Sequence, residues 1–146
     1  MYQFNKSVFI QRSPQEVFDV LTNPPKSAQW QSYTDSAEWT SSGPTDVGST
    51  WKTAGKFMGR SVDAELTVTG WEPPRMVSFK SINGPFPMEV TNTLEAQDGG
   101  TMVTSTGQAD IGGFFKLAEG LVGKQIEKQI DTDNSTLKLL MESNQL

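Results

Sequence analysis

The chain of 146 residues contains neither cysteine nor histidine. Without cysteine there is no disulfide framework, no thiolate nucleophile and no zinc-thiolate site. Without histidine the commonest general base and the commonest transition-metal ligand are missing. Ser-His-Asp, Cys-His and His-metal mechanisms are thereby excluded, and no metal or organic cofactor is expected. Positive charge is also scarce: formal net charge is −5, and Lys and Arg are scattered singly. A nucleic-acid groove normally shows a clustered basic patch, so no nucleic-acid partner is expected. No apolar run approaches the roughly 20 residues of a membrane span. The first residues lack a basic segment followed by an apolar one, so no signal peptide is read there. A single cytoplasmic domain over 1–146, with no integral membrane association, is the expectation.

What is present is organised around the last quarter of the chain. After Gly112 and Gly113, the residues Phe114, Ala118, Val122, Ile126, Ile130, Leu137 and Leu140/Met141 recur three, four or seven apart, the spacing of one helical face. A helix of roughly 30 residues spans about 45 Å, and it needs a partner surface of similar length.

That surface is predicted upstream. Tyr2–Gln11 is rich in β-formers. Ser13-Pro14-Gln15-Glu16 has the residues of a capped helix start, and Val17, Phe18, Val20 and Leu21 follow as a short amphipathic helix. Asn23-Pro24-Pro25 ends it, and 26–30 supplies a further turn or short helix. Strands are predicted over 33–39, 49–57, 62–69, 76–83, 88–95 and 101–111. The turn clusters between them include Gly43-Pro44…Val47-Gly48, Gly59-Arg60 and Asp98-Gly99-Gly100. Short turns make neighbouring strands antiparallel. Alternation of Val62, Ala64, Leu66 and Val68 with Asp63, Glu65, Thr67 and Thr69 makes one sheet face apolar, and the long helix must cover it.

This order of elements resembles the helix-grip superfamily (SRPBCC), which includes START-domain lipid carriers, Bet v 1-like proteins and the polyketide cyclase/dehydrase group. The resemblance rests on Ser13-Pro14-x-Glu16-Val17-Phe18, the Trp30 segment, Gly43-Pro44…Val47-Gly48, Trp71-Glu72-Pro73-Pro74-Arg75, Gly99-Gly100-Thr101 and the terminal helix. It implies an α+β helix-grip fold: a curved antiparallel sheet of about seven strands around a long C-terminal helix, with two short helices after the first strand. It also implies an apolar cavity for a hydrophobic small molecule.

The inward set expected from the sheet includes Trp51, Phe57, Leu66, Phe79, Met88, Val90 and Asn92. From the helix it includes Phe114, Ala118, Leu121, Val122, Gln125 and Gln129. Gly120 and Gly123 are read as removing side-chain volume beside the cavity. Asn92, Gln125 and Gln129 are read as its polar groups, since a few polar atoms in an apolar concavity are how small-ligand sites are built. Phe86, in Gly84-Pro85-Phe86-Pro87, and Phe115 are the expected gate. Asp35 shares phase with Tyr33, Ala37 and Trp39 and is the carboxylate expected to face inward. Gly43-Pro44-Thr45-Asp46-Val47-Gly48-Ser49-Thr50 has the glycine spacing of a phosphate-binding loop. It has Ser49 where that loop needs lysine, and a strand is predicted to follow, so nucleotide binding is rejected.

Three readings stay open: reversible binding of a lipid, polyketide or aromatic metabolite; a cyclase or dehydratase, against which the lack of histidine weighs without excluding it; and a protein-interaction module with a filled core. A monomer or weak dimer is expected.

Overall fold

The computed structural model describes residues 2–110 and 119–146. Strand β1 (Tyr2–Ile10) is followed by α1 (Pro14–Leu21) and a 3-10 segment (Pro24–Gln29). Then come β2 (Thr34–Trp39), β3 (Thr50–Phe57), the two-residue β4 (Arg60–Ser61), β5 (Ala64–Glu72), β6 (Met76–Asn83), β7 (Met88–Gln97) and β8 (Gly100–Ala109). The last element is α2 (Glu119–Glu142). The sheet is antiparallel, in the order β1-β8-β7-β6-β5-β3-β2, with β4 pairing β3 off this path. This is the helix-grip architecture that the resemblance implies.

Local sequence chemistry accounts for the boundaries. Ser13 caps α1: its Oγ accepts the Glu16 amide at 3.2 Å, while Pro14 opens the helix where no donor is needed. The β7–β8 hairpin closes through Asp98 and Gly99, at φ 47° and 76°. Positive φ at both central residues gives the turn that matches strand twist, and Asp-Gly is the favoured pair for it. The strand β3 follows the Gly43–Gly48 cluster, as the rejection of a phosphate-binding loop requires.

Among the described residues the ladder slips at three places: between Glu65 and Leu66, where Ile82 of β6 is the extra residue, and at two bulges that re-aim side chains of the inner face. One of these two bulges lies between Val68 and Gly70 in β5, the other between Thr34 and Ser36 in β2. Each adds one residue and reverses the alternation beyond it. Past the first, Trp71 turns to the concave face. At the second, Asp35 is the residue added, and it is exposed. The expectation that Asp35 faces inward is therefore corrected, and buried Thr34 takes the inward place.

Helix α2 runs closest to β1 and stands farther off the other strands. A series of bonds holds this edge. The Tyr2 hydroxyl donates to Glu127. Lys6 pairs with Asp131 at 3.1 Å and Glu127 at 3.7 Å. Lys138 donates to the Phe9 carbonyl at 2.7 Å, and the Gln11 amide to Glu142 at 2.8 Å. The Tyr2 ring lies directly over Gly123, where a Cβ would overlap it, and Gly120 faces open space. The glycines therefore do not open the cavity as expected: Gly123 admits Tyr2, and Gly120 sits on the outer surface.

The core is divided. Ile10, Val17, Phe18, Val20, Val68, Val77, Leu94, Val103, Leu137 and Met141 pack together at one end. Phe57, Ala109 and Val122 form a smaller cluster at the other, joined by Tyr2, Val62, Phe86, Met88 and Ile126.

Candidate functional site

A cavity of about 250 Å³ is lined by residues of both clusters. Its floor is the concave face of the sheet, built in rows set by strand register. One row is Val68, Phe79 and Val90, which continues through Gly107 to Phe4. The Phe4 ring fills the place that a side chain at Gly107 would take. The next row is Trp71, Val77, Asn92 and Ser105. Within it Ser105 donates to Asn92 Oδ1 at 2.5 Å. A third row pairs Trp39 with Trp51 and Trp51 with Leu66.

All four tryptophans of the chain, Trp30, Trp39, Trp51 and Trp71, line the cavity. Trp51 makes edge contacts with Trp39 at 5.9 Å and with Phe79 at 5.4 Å between ring centroids. Trp71 meets Phe18 at 5.1 Å. Such pairs add about 0.5–1.5 kcal/mol each beyond the area they bury.

Of the residues expected to bind ligand, Trp51, Phe57, Leu66, Phe79, Met88, Val90, Asn92 and Gln129 line the cavity, as does Phe86, one of the two residues expected as a gate. Phe114, Ala118 and Phe115 lie outside the described residues. Three expectations on α2 are corrected. Leu121 is 60% exposed, because the inward stripe runs through Val122 and Ile126, and Leu121 falls about 100° away from Val122. Val122 is fully buried against Phe57 and Ala109 and does not reach the cavity. Gln125 is half-buried and outside the lining.

The cavity's polar corner was not foreseen in the sequence. Asp133 on α2 is 4% exposed. Its Oδ1 accepts from the Ser32 amide at 3.0 Å and the Ser32 hydroxyl at 2.6 Å. The Gln129 side-chain amide donates to the same Ser32 hydroxyl. Nearby, Thr34 donates to Gln31 Oε1 at 2.9 Å. Burial raises the Asp133 carboxyl above its ordinary value, with the two Ser32 bonds opposing. Burial also pushes the Tyr33 phenol up to about 12, and the charge of Asp133 adds to this. Tyr33, which lines the cavity, is therefore protonated at neutral pH. Position offers a signal for Asp133: it lies three residues after Ile130 and four before Leu137, on the apolar face.

Among the described residues, no group of three or more Asp or Glu is gathered so as to hold a metal ion. No helix there is long and apolar enough to cross a membrane.

Comparison with solved structures extends the fold to relatives of low identity. A START superfamily protein from Mycobacterium smegmatis superposes with a TM-score of 0.82 at 11% identity, covering 98% of this chain and 99% of that one. Ara h 8.0201 gives 0.73 at 13% identity, covering 97% and 98%. The Zhui aromatase/cyclase from Streptomyces sp. R1128 gives 0.73 at 13% identity, covering 93% and 90%. No functionally curated protein matches the sequence significantly. The family model for polyketide cyclase / dehydrase and lipid transport matches residues 1–142, and the chain belongs to that family.

Proposed function

We propose that the protein reversibly binds a hydrophobic or amphipathic small molecule, such as a lipid, polyketide or aromatic metabolite, between the sheet and α2. The observation that carries this is the cavity itself, about 250 Å³ of space between two packed clusters, walled by four indoles. Interiors are ordinarily packed to crystal density, and a mostly apolar cavity with a few placed polar groups is the common form of a ligand site. On this reading the residues named above as lining the cavity are the contact residues, Phe86 borders the entrance, and the protein works in the cytoplasm as a monomer or weak dimer. Native mass spectrometry of the purified protein, followed by extraction and identification of any bound molecule, tests it. A co-purifying apolar molecule supports the reading. A clean apo mass, together with no thermal stabilisation by a panel of lipids and aromatic metabolites, overturns it.

A second reading, a cyclase or dehydratase acting on a poly-β-keto or aromatic substrate, is favoured by one observation. The cavity holds an inward carboxyl, Asp133, and an inward phenol, Tyr33. Turnover of a poly-β-keto thioester that is lost in Asp133→Asn, with binding retained, is its expected signature.

A further inference from the structure

We propose that the ligand's polar end is a protonated amine seated against Asp133. This rests on the ligand-binding reading above and narrows it. Asp133 is the one acidic residue in the described lining, which contains neither Lys nor Arg. None of the ion pairs among the described residues involves it. Oδ1 is occupied by both donors of Ser32, whereas Oδ2 has no donor among the described residues. Trp30 Nε1 is the enclosed side-chain polar atom left without a partner there. Oδ2 is thus not sealed away, although the residue is 96% buried.

A carboxylate removed from water is costly unless paired and hydrogen-bonded. Here one oxygen is satisfied by the protein, and the other is accessible and unpartnered among the described residues, on a residue that lines the cavity. An ammonium supplies both the missing donor and the missing charge. The aromatic wall suits the same choice, because indole faces attract cations. A carboxylate or phosphate end meets the opposite situation: no cation in the described lining to receive it, and a like charge in Asp133.

The test uses three probes with one ring system and matched length: naphthylethylamine, naphthylethanol and naphthylacetate. Binding of each to the intact protein is measured by isothermal titration calorimetry at neutral pH. The expected order is amine, then alcohol, then carboxylate, with amine over carboxylate by about tenfold or more, or roughly 1.4 kcal/mol. In Asp133→Asn the amine's advantage over the alcohol collapses while the alcohol still binds. Ser32→Ala, which leaves the carboxyl in place, keeps the amine first. Equal binding of all three probes, or carboxylate binding best, overturns the amine assignment and leaves the cavity reading standing. No binding by any probe overturns the amine assignment, while the cavity reading still stands or falls by the mass-spectrometric and stabilisation test above. An order unchanged in Asp133→Asn shows that the discrimination arises elsewhere and also overturns the assignment.

Discussion

Asp133 on α2 and Ser32, just before β2, are joined by two hydrogen bonds to a single carboxyl oxygen, at 3.0 Å from the amide and 2.6 Å from the hydroxyl. The pair ties the helix to the far edge of the sheet, opposite the β1 edge where most of the helix's other polar bonds lie. Ser32→Ala keeps the amide bond and removes the hydroxyl from a buried carboxyl. A loss of about 1–3 kcal/mol in stability is expected from urea denaturation.

The same carboxyl sets a pH response. Its folded value is raised by burial above the ordinary 3.8. The folded chain therefore holds this proton to higher pH than the unfolded chain. The contribution favours folding fully at pH below 3.8 and is lost as pH rises through the folded value. Glu142 behaves oppositely. The Gln11 amide and then Lys138 lower its carboxyl below the ordinary 4.5, so its contribution is present above that value and lost as pH falls through the folded one. Urea midpoints across a pH series should diverge from wild type in opposite directions for Asp133→Asn and Glu142→Gln. Parallel curves for both variants contradict the assignment.

The two helix glycines should respond with opposite sign to the same substitution. Gly120→Ala adds a methyl to open space and should stabilise by about 0.5–1 kcal/mol through helix propensity. Gly123→Ala drives a methyl into the Tyr2 ring and should destabilise by about 1–3 kcal/mol, as overpacking does. Thermal denaturation of the two variants side by side checks this.

Neighbouring positions on α2 test its rotation. Leu121→Gln, at a side chain 60% exposed, should change stability by less than about 0.5 kcal/mol. Val122→Ala, at a side chain with no exposure, should cost roughly 2 kcal/mol by leaving a hole against Phe57 and Ala109. Similar costs at both sites contradict the rotation described.

Filling the cavity should separate binding from stability. Val90 lies at the middle of its floor, between Phe79 and Gly107. Val90→Phe directs a ring into existing space, so stability should stay within about 1.5 kcal/mol of wild type. Affinity for a bound probe should fall about tenfold or more, read by calorimetry. Trp51→Ala instead enlarges the space and removes two ring contacts, at a stability cost of about 3–5 kcal/mol.

The chain by itself determined the order of elements and most of the sheet's inner face. Alternation through Leu66 and Val68, and through Met88, Val90 and Asn92, is a local signal that survives into the structure because strand side chains alternate by covalent geometry. Capping at Ser13 and the Asp98-Gly99 turn are equally local. The tertiary structure decided what alternation cannot carry across a bulge. One inserted residue brings Trp71 inward and leaves Asp35 outside, and a single sequence does not mark where a ladder slips. It also decided the helix's rotation and its closeness to β1. That placement assigns Gly123 to Tyr2, turns Leu121 to solvent and opens the cavity away from that edge. Asp133 shows the division most clearly. Its place on the apolar stripe follows from helical spacing alone. Its meaning as a half-satisfied carboxyl on a cavity wall exists only once Ser32, a hundred residues earlier in the chain, is folded against it.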